Sequence, residues 1–167
     1  DMNRRGRNCY AVRNPVREAV GKAANDTDIL AAFYLWADCD EGHAAENVLR
    51  FPGPKWVAAV TTGKIPSTRV HTYWVSLDVI ATQAEEACTD LAAWRDMQSA
   101  IARHFGSDPS VINPSRIMRI GGTISWPSTR KVGKGYTTEI TTIRTEYPEP
   151  REPVTLDQMQ RAFASST

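Results

Sequence analysis

Two carboxylates one residue apart, Asp38 and Asp40, are the side chains best suited to chemistry in this sequence. They end the run 33–40 (FYLWADCD), whose aromatic and apolar residues favour a strand. On a strand, alternate side chains share a face. Both carboxylates therefore project together, while Cys39 turns the other way, into the core with Leu35 and Ala37. Two carboxylates held that close repel unless a cation joins them. Mg²⁺ or Mn²⁺ takes oxygen ligands, usually a few carboxylates plus substrate phosphates. The pair is a candidate divalent-metal site at a strand end. Taken alone, it would equally suit a solvated strand terminus running into Glu41.

His71 is the second element. It opens the run 70–77 (VHTYWVSL), with Tyr73 and Val75 on its face, and follows Ser67-Thr68-Arg69. Hydroxyls, backbone amides and an arginine suit a nucleotide phosphate, and a histidine beside them can bind it or carry a proton. A satisfied structural histidine is the commoner role for a lone His. His43 and His104, at a polar helix start and near a helix end, read that way. The third element is basic. Arg116 and Arg119 bracket an apolar pair before Gly121-Gly122, and Lys131 and Lys134 follow in a glycine-containing loop. Basic side chains around a glycine turn suit phosphate contacts. A solvated hairpin usually mixes signs, yet no acid occurs between Asp108 and Glu139.

Several elements must position these groups. The pattern predicts strands at 8–13, 33–40, 56–62, 70–77, 116–120, 123–126 and 136–144. It predicts a short helix at 42–50, stopped by Phe51-Pro52-Gly53-Pro54. The longest helix starts from the capping-box pattern Thr82-Gln83-Ala84-Glu85. It carries Ala87, Leu91, Trp94, Ile101 and Phe105 at helical spacing and ends at Gly106. Residues 147–153 (YPEPREP) read as a proline-rich linker, and 154–164 as a final short helix. The domain of interest is expected at 1–146, with linker and helix at 147–167. Several strands with one dominant helix make an α+β fold.

Composition excludes several classes. With 41% hydrophobic and 23% charged residues, the 167-residue chain can bury a core. No run of about 18 apolar residues suggests a membrane span. The polar start 1–7 has no apolar signal core behind it. Three widely spaced cysteines without a CxxC pair argue against a disulfide scaffold or a zinc knuckle, and fit a reducing cytoplasm. The net charge of +1 excludes a bulk polycation, but it is a sum of opposed segments. Residues 26–49 hold six acids and no Lys or Arg, whereas 47–77 and 109–138 hold only bases.

In this order the three elements resemble the archaeo-eukaryotic primase superfamily, and within it the RepB-type primases and primase-polymerases of plasmids and phages. The acid-x-acid motif is matched by Asp38-Cys39-Asp40. The small residue followed by a strand-borne histidine is matched by Ser67-Thr68-Arg69-Val70-His71. The third region is matched by Asp108-Pro-Ser-Val-Ile-Asn113-Pro-Ser-Arg116-Ile-Met-Arg119-Ile-Gly121-Gly122-Thr123. The resemblance spans residues 8–144 and departs at two points. Gly121 replaces the proline of a Pro-Gly pair, and Asn113 stands where the family has an aspartate, which weakens a divalent-metal site. Asp108 is the alternative third carboxylate, with Asp78 a poorer one.

The resemblance implies a primase-type core, a mixed or antiparallel RRM-like sheet flanked by helices. It implies nucleotidyl transfer, in which a 3′-hydroxyl attacks the α-phosphate of a nucleoside triphosphate on a single-stranded DNA template. Asp38 and Asp40 would hold one or two Mg²⁺ or Mn²⁺ ions. His71, Ser67 and Arg69 would contact the triphosphate. Arg116, Arg119, Lys131 and Lys134 would neutralise the triphosphate or the template backbone, and Asn113 lies among these binding residues. Tyr73 or Tyr136 could stack on a base or sugar, with core packing the commoner role. A replicative helicase domain, in the same or another chain, is the implied partner, in a bacterial cytoplasm with a plasmid or phage gene. Two other classes remain open: a non-catalytic nucleic-acid-binding module of a replication protein, and a metal-dependent nuclease using the same carboxylates.

Overall fold

The run bearing the two acids forms strand β2, Ala31–Cys39, in a computed structural model that describes residues 1–18, 23–81, 87–144 and 152–165. The capping-box pattern at 82–85 and most of the proline-rich segment lie outside the described residues. Helix α1, Gly42–Arg50, follows β2, then β3, Ala58–Gly63, and the long β4, Arg69–Ala81. Helix α2, Ala87–Phe105, comes next, then β5, Ile117–Arg119, and β6, Ile124–Ser125. A four-residue helix α3, Thr129–Val132, precedes β7, Glu139–Ile140, and β8, Thr142–Arg144; helix α4, Leu156–Ala164, ends the described chain. The main sheet is antiparallel in the order β2-β4-β3-β8, and two ribbons, β1 (Tyr10–Val12) with β5 and β6 with β7, complete an α+β architecture.

Strand alternation decides which face of the sheet is core. Leu35, Ala37 and Cys39 of β2 are buried, as are Val70, Trp74 and Ala59 on the neighbouring strands. They pack with Ala44 and Val48 of α1 and with Ile101 and Phe105 of α2, and the Trp74 and Phe105 rings stack at 6.0 Å. Burial pushes the Cys39 thiol up to about 12, with the Asp38 and Asp40 charges adding to the effect, so it stays a protonated core group. Helix α4 closes one end. Met159 is buried, Phe163 stacks on His104 at 4.3 Å, and the Leu156 amide donates to Asp78 Oδ2 at 2.7 Å.

The free edge of β2 needs partners for its backbone. Asn14 Oδ1 accepts from the amides of Phe33 and Tyr34. Gln98 of α2 accepts from the Trp36 amide at 3.0 Å and donates back to the Trp36 carbonyl at 3.3 Å. Gln98 is 1% exposed, so its loss strands two buried backbone groups. Gln98→Leu is expected to cost about 2 kcal/mol, read as a lower urea midpoint.

One predicted strand divides. The alternation over 136–144 persists, but β7 pairs with β6 whereas β8 pairs with β3. Thr141, at the switch and 1% exposed, makes the junction: its hydroxyl donates to Thr123 O at 2.9 Å and accepts from the Thr123 amide at 3.0 Å. The loop expected around Lys131 contains α3, whose first turn is capped by the Ser128 hydroxyl.

Candidate active site

Antiparallel register places Asp38 of β2 directly opposite His71 of β4, and His71 in turn beside Val60 of β3. His71 Nε2 lies 3.2 Å from Asp38 Oδ1, with side chains 10% and 19% exposed. That is ion-pair distance without good hydrogen-bond alignment. Asp38 Oδ1 and His71 Nδ1 are both shut from water and have no hydrogen-bond partner. Burial alone would raise the Asp38 carboxyl; contact with His71 and the charges of His71, Arg116 and Lys131 outweigh it and hold the group below the usual carboxylate range. Asp40, just past the end of β2, is exposed.

The opposite wall is cationic. Asp38, Asp40 and His71 share a cavity of about 190 Å³ with Arg116, Arg119 and Lys131. Arg119 is held by the β1–β5 ribbon. It donates to Asn8 Oδ1 at 2.5 Å and to the Tyr10 hydroxyl at 2.9 Å, and its guanidinium lies 4.8 Å from the Tyr10 ring centroid. Asn8 also brackets Trp126, another residue of the cleft, accepting from its amide and donating to its carbonyl. Lys131 projects from α3 over the Tyr136 ring at 5.2 Å. Arg116 donates to Ser110 Oγ at 3.2 Å. Asn8 and Tyr10 lie 111 and 109 residues from their arginine partner, so no local spacing marks them.

The other singled-out residues sit elsewhere or are engaged. Arg69 lines the cleft, yet its guanidinium donates to Ile65 O at 2.6 Å, Ser67 O at 3.1 Å and Glu139 Oε1 at 3.2 Å, and it covers the Tyr136 ring. Ser67 faces a separate groove beside α1. The Asp108 amide donates to the Asp38 carbonyl, so the two backbones touch, but its carboxylate turns back to the Ser110 amide at 2.8 Å. Asn113 donates to Ser115 Oγ. Lys134 is exposed in the turn after α3. Asp78 lies seven residues along β4 from His71, at the start of α4.

Among the described residues no three His, Cys, Asp or Glu side chains converge tightly enough to hold a metal by themselves. The residues present still fit Mg²⁺ or Mn²⁺ bound with substrate. Asp38 offers a buried oxygen that makes no hydrogen bond, Asp40 a second carboxylate in the same cleft, and the cation wall accommodates phosphates that complete the shell.

The depressed Asp38 carboxyl sets a pH dependence. Its folded value lies below its unfolded value of about 3.9. Its contribution to stability is therefore present above that range and lost as pH falls through the folded value. Asp38→Asn should flatten the acid limb of urea midpoint against pH below about pH 4, relative to the parent chain.

No protein-family model matches the sequence, and no curated protein does. Among solved structures, the AEP domain of the cyanophage S-2L primase-polymerase is similar. The likeness has a TM-score of 0.60 and 22% identity, over 96% of this chain and 72% of that one. A likeness at that identity speaks to architecture, and no described helix is long and apolar enough to cross a membrane. The chain has the fold of an archaeo-eukaryotic primase domain.

Proposed function

We propose that the chain is a metal-dependent nucleotidyltransferase of DNA replication, a primase or primase-polymerase that builds primers on single-stranded DNA from nucleoside triphosphates. The observation that carries the reading is the cleft itself: Asp38 cross-strand from His71, with Asp40 beside them, facing Arg116, Arg119 and Lys131 inside a primase-type fold. Mg²⁺ or Mn²⁺, held by Asp38 and Asp40, supplies when bound the Lewis acidity that stabilises the attacking and leaving oxygens of an in-line displacement.

The chain's own residues do the rest. Arg119, fixed by Asn8 and Tyr10, gives the triphosphate a preorganised donor that need not reorganise as charge develops. Arg116 and Lys131 neutralise the remaining phosphate charge or the template backbone. His71 keeps Asp38 ionised through its contact and charge. Arg69, engaged on the inside of the wall, holds Tyr136 and the 65–67 carbonyls in place.

The test is primer synthesis from labelled nucleotides on a single-stranded template, with and without Mg²⁺ or Mn²⁺. Metal-dependent product is expected. One observation favours a second reading, a nucleic-acid-binding module without turnover: no third carboxylate joins Asp38 and Asp40 among the described residues. That reading gives metal-independent DNA binding and no product in the same assay.

A further inference from the structure

We propose that the basic segment 1–7, outside the cleft, is a docking rim that holds single-stranded DNA by its phosphates where the strand runs past the site. The inference rests on the nucleic-acid reading and holds with or without turnover. Two stretches of the sequence are basic and free of acids: residues 2–17 hold five arginines, and 109–138 hold five lysines and arginines. They lie about a hundred residues apart, and the fold joins them on one wall of the cleft. The joint is β6. Asn3 accepts from the Ile124 amide at 2.8 Å and donates to its carbonyl at 2.9 Å. Asn8 does the same for Trp126, both at 2.8 Å, and the Trp126 indole donates to the Asn3 carbonyl at 2.7 Å. Ser125 and Trp126 line the cleft, and Asn8 also holds Arg119, so the segment is fastened to the cleft wall at both of its ends.

Between those ends the chain is wound into a tight turn. The Arg5 and Arg7 amides donate to the Met2 carbonyl, both at 3.2 Å, and the Gly6 amide donates to the Asn3 carbonyl at 3.1 Å. Gly6 has φ +83°, a conformation glycine favours, and Asn3 also donates to the Arg7 carbonyl at 2.8 Å. Fixing backbone costs entropy, yet no residue of 1–7 is buried, so this order adds nothing to the core. What it fixes is charge. Arg4 spends its charge on an exposed pair with Asp1. Arg5 and Arg7 are exposed, and no acid among the described residues pairs with either. At about 190 Å³ the cleft is smaller than the usual pocket for one small ligand, so a polynucleotide engaged there must extend over its rim. Spaced cations beside such a cleft hold a phosphate backbone without reading its sequence.

Fluorescence anisotropy of a labelled oligo-dT of about 20 nucleotides, titrated with the full chain over a series of salt concentrations, tests this. Arg5→Ala combined with Arg7→Ala should weaken binding about tenfold near physiological salt. It should also make the fall of log K with log salt shallower by about 1.4, the share of two single-strand phosphate contacts. Arg5→Lys combined with Arg7→Lys, which keeps both charges, should retain the parent's slope. Arg50→Ala combined with Arg103→Ala removes two exposed cations from α1 and α2, away from the cleft, and should leave affinity and slope close to the parent's. All four residues are exposed, so the melting temperatures should match. The proposal is overturned by equal losses in the two alanine pairs, by an unchanged affinity or slope in the Arg5/Arg7 pair, or by a parent chain that does not bind the oligonucleotide. Binding that depends on the rim without primer synthesis would keep the rim and remove the nucleotidyl-transfer reading; primer synthesis with an indifferent rim would do the reverse.

Discussion

Asp38→Ala is expected to reduce primer synthesis by more than about a thousandfold, beyond the loss of a single preorganised contact. The reason is positional. Asp38 is the carboxylate directly opposite His71, it carries a buried oxygen with no hydrogen bond beyond its 3.2 Å ion pair with His71 Nε2, and its pKa is held low, so it is ionised whenever substrate arrives. Asp40 is exposed and cannot supply that buried charge from where it stands. The fold should survive. The side chain opens into a polar cleft, whereas the core of β2 faces the helices through Leu35, Ala37 and Cys39. Circular dichroism and the melting temperature should stay close to those of the parent. Asp38→Asn, which keeps the shape and removes the charge, should lose nearly as much turnover. Full activity in either variant would overturn the metal assignment.

How far the sequence carried this picture depends on whether a residue's role is local. The bounds of α1 and the strand character of β2 and β4 follow from neighbours in the chain, and the period-2 argument placed Asp38 on one face and Cys39 on the other. The basic segments at 116–119 and 131 do reach the acidic strand end, which the charge segregation foreshadowed. Roles set by tertiary pairing were hidden. Alternation over 136–144 is the same whether one sheet or two receives it, so the switch at Thr141 leaves no mark in the pattern. Asn8 binds residues more than a hundred positions away. The hydroxyls and cation of Ser67-Thr68-Arg69 suit a phosphate; that Glu139, 70 residues on, meets Arg69 in the protein leaves no mark in the sequence.

That pair carries the largest expected effect on stability. Glu139 accepts from the amides of Lys64 at 2.7 Å and Ile65 at 3.2 Å and from the Arg69 guanidinium at 3.2 Å, while Arg69 grips the carbonyls of Ile65 and Ser67. The two side chains thus clamp the 64–67 loop between β3 and β4, and the room for Arg69 exists because residue 63 is glycine: a Cβ there would overlap the guanidinium. Arg69 is 5% exposed in its side chain and Glu139 17%. Removing one partner of a pair this buried strands the other's charge, so Glu139→Ala should cost about 3 kcal/mol in urea denaturation at pH 7. Glu139→Gln keeps an oxygen for one loop amide and should cost less. Arg69→Met combined with Glu139→Met should cost clearly less than the sum of the two single changes, because no charge is then left unpaired. Since Arg69 also carries the Tyr136 ring over which Lys131 lies, the same loss should raise KM for nucleotide more than it lowers kcat. A Glu139→Ala protein as stable as the parent, or strictly additive Met changes, would show that the loop is held by something other than this clamp.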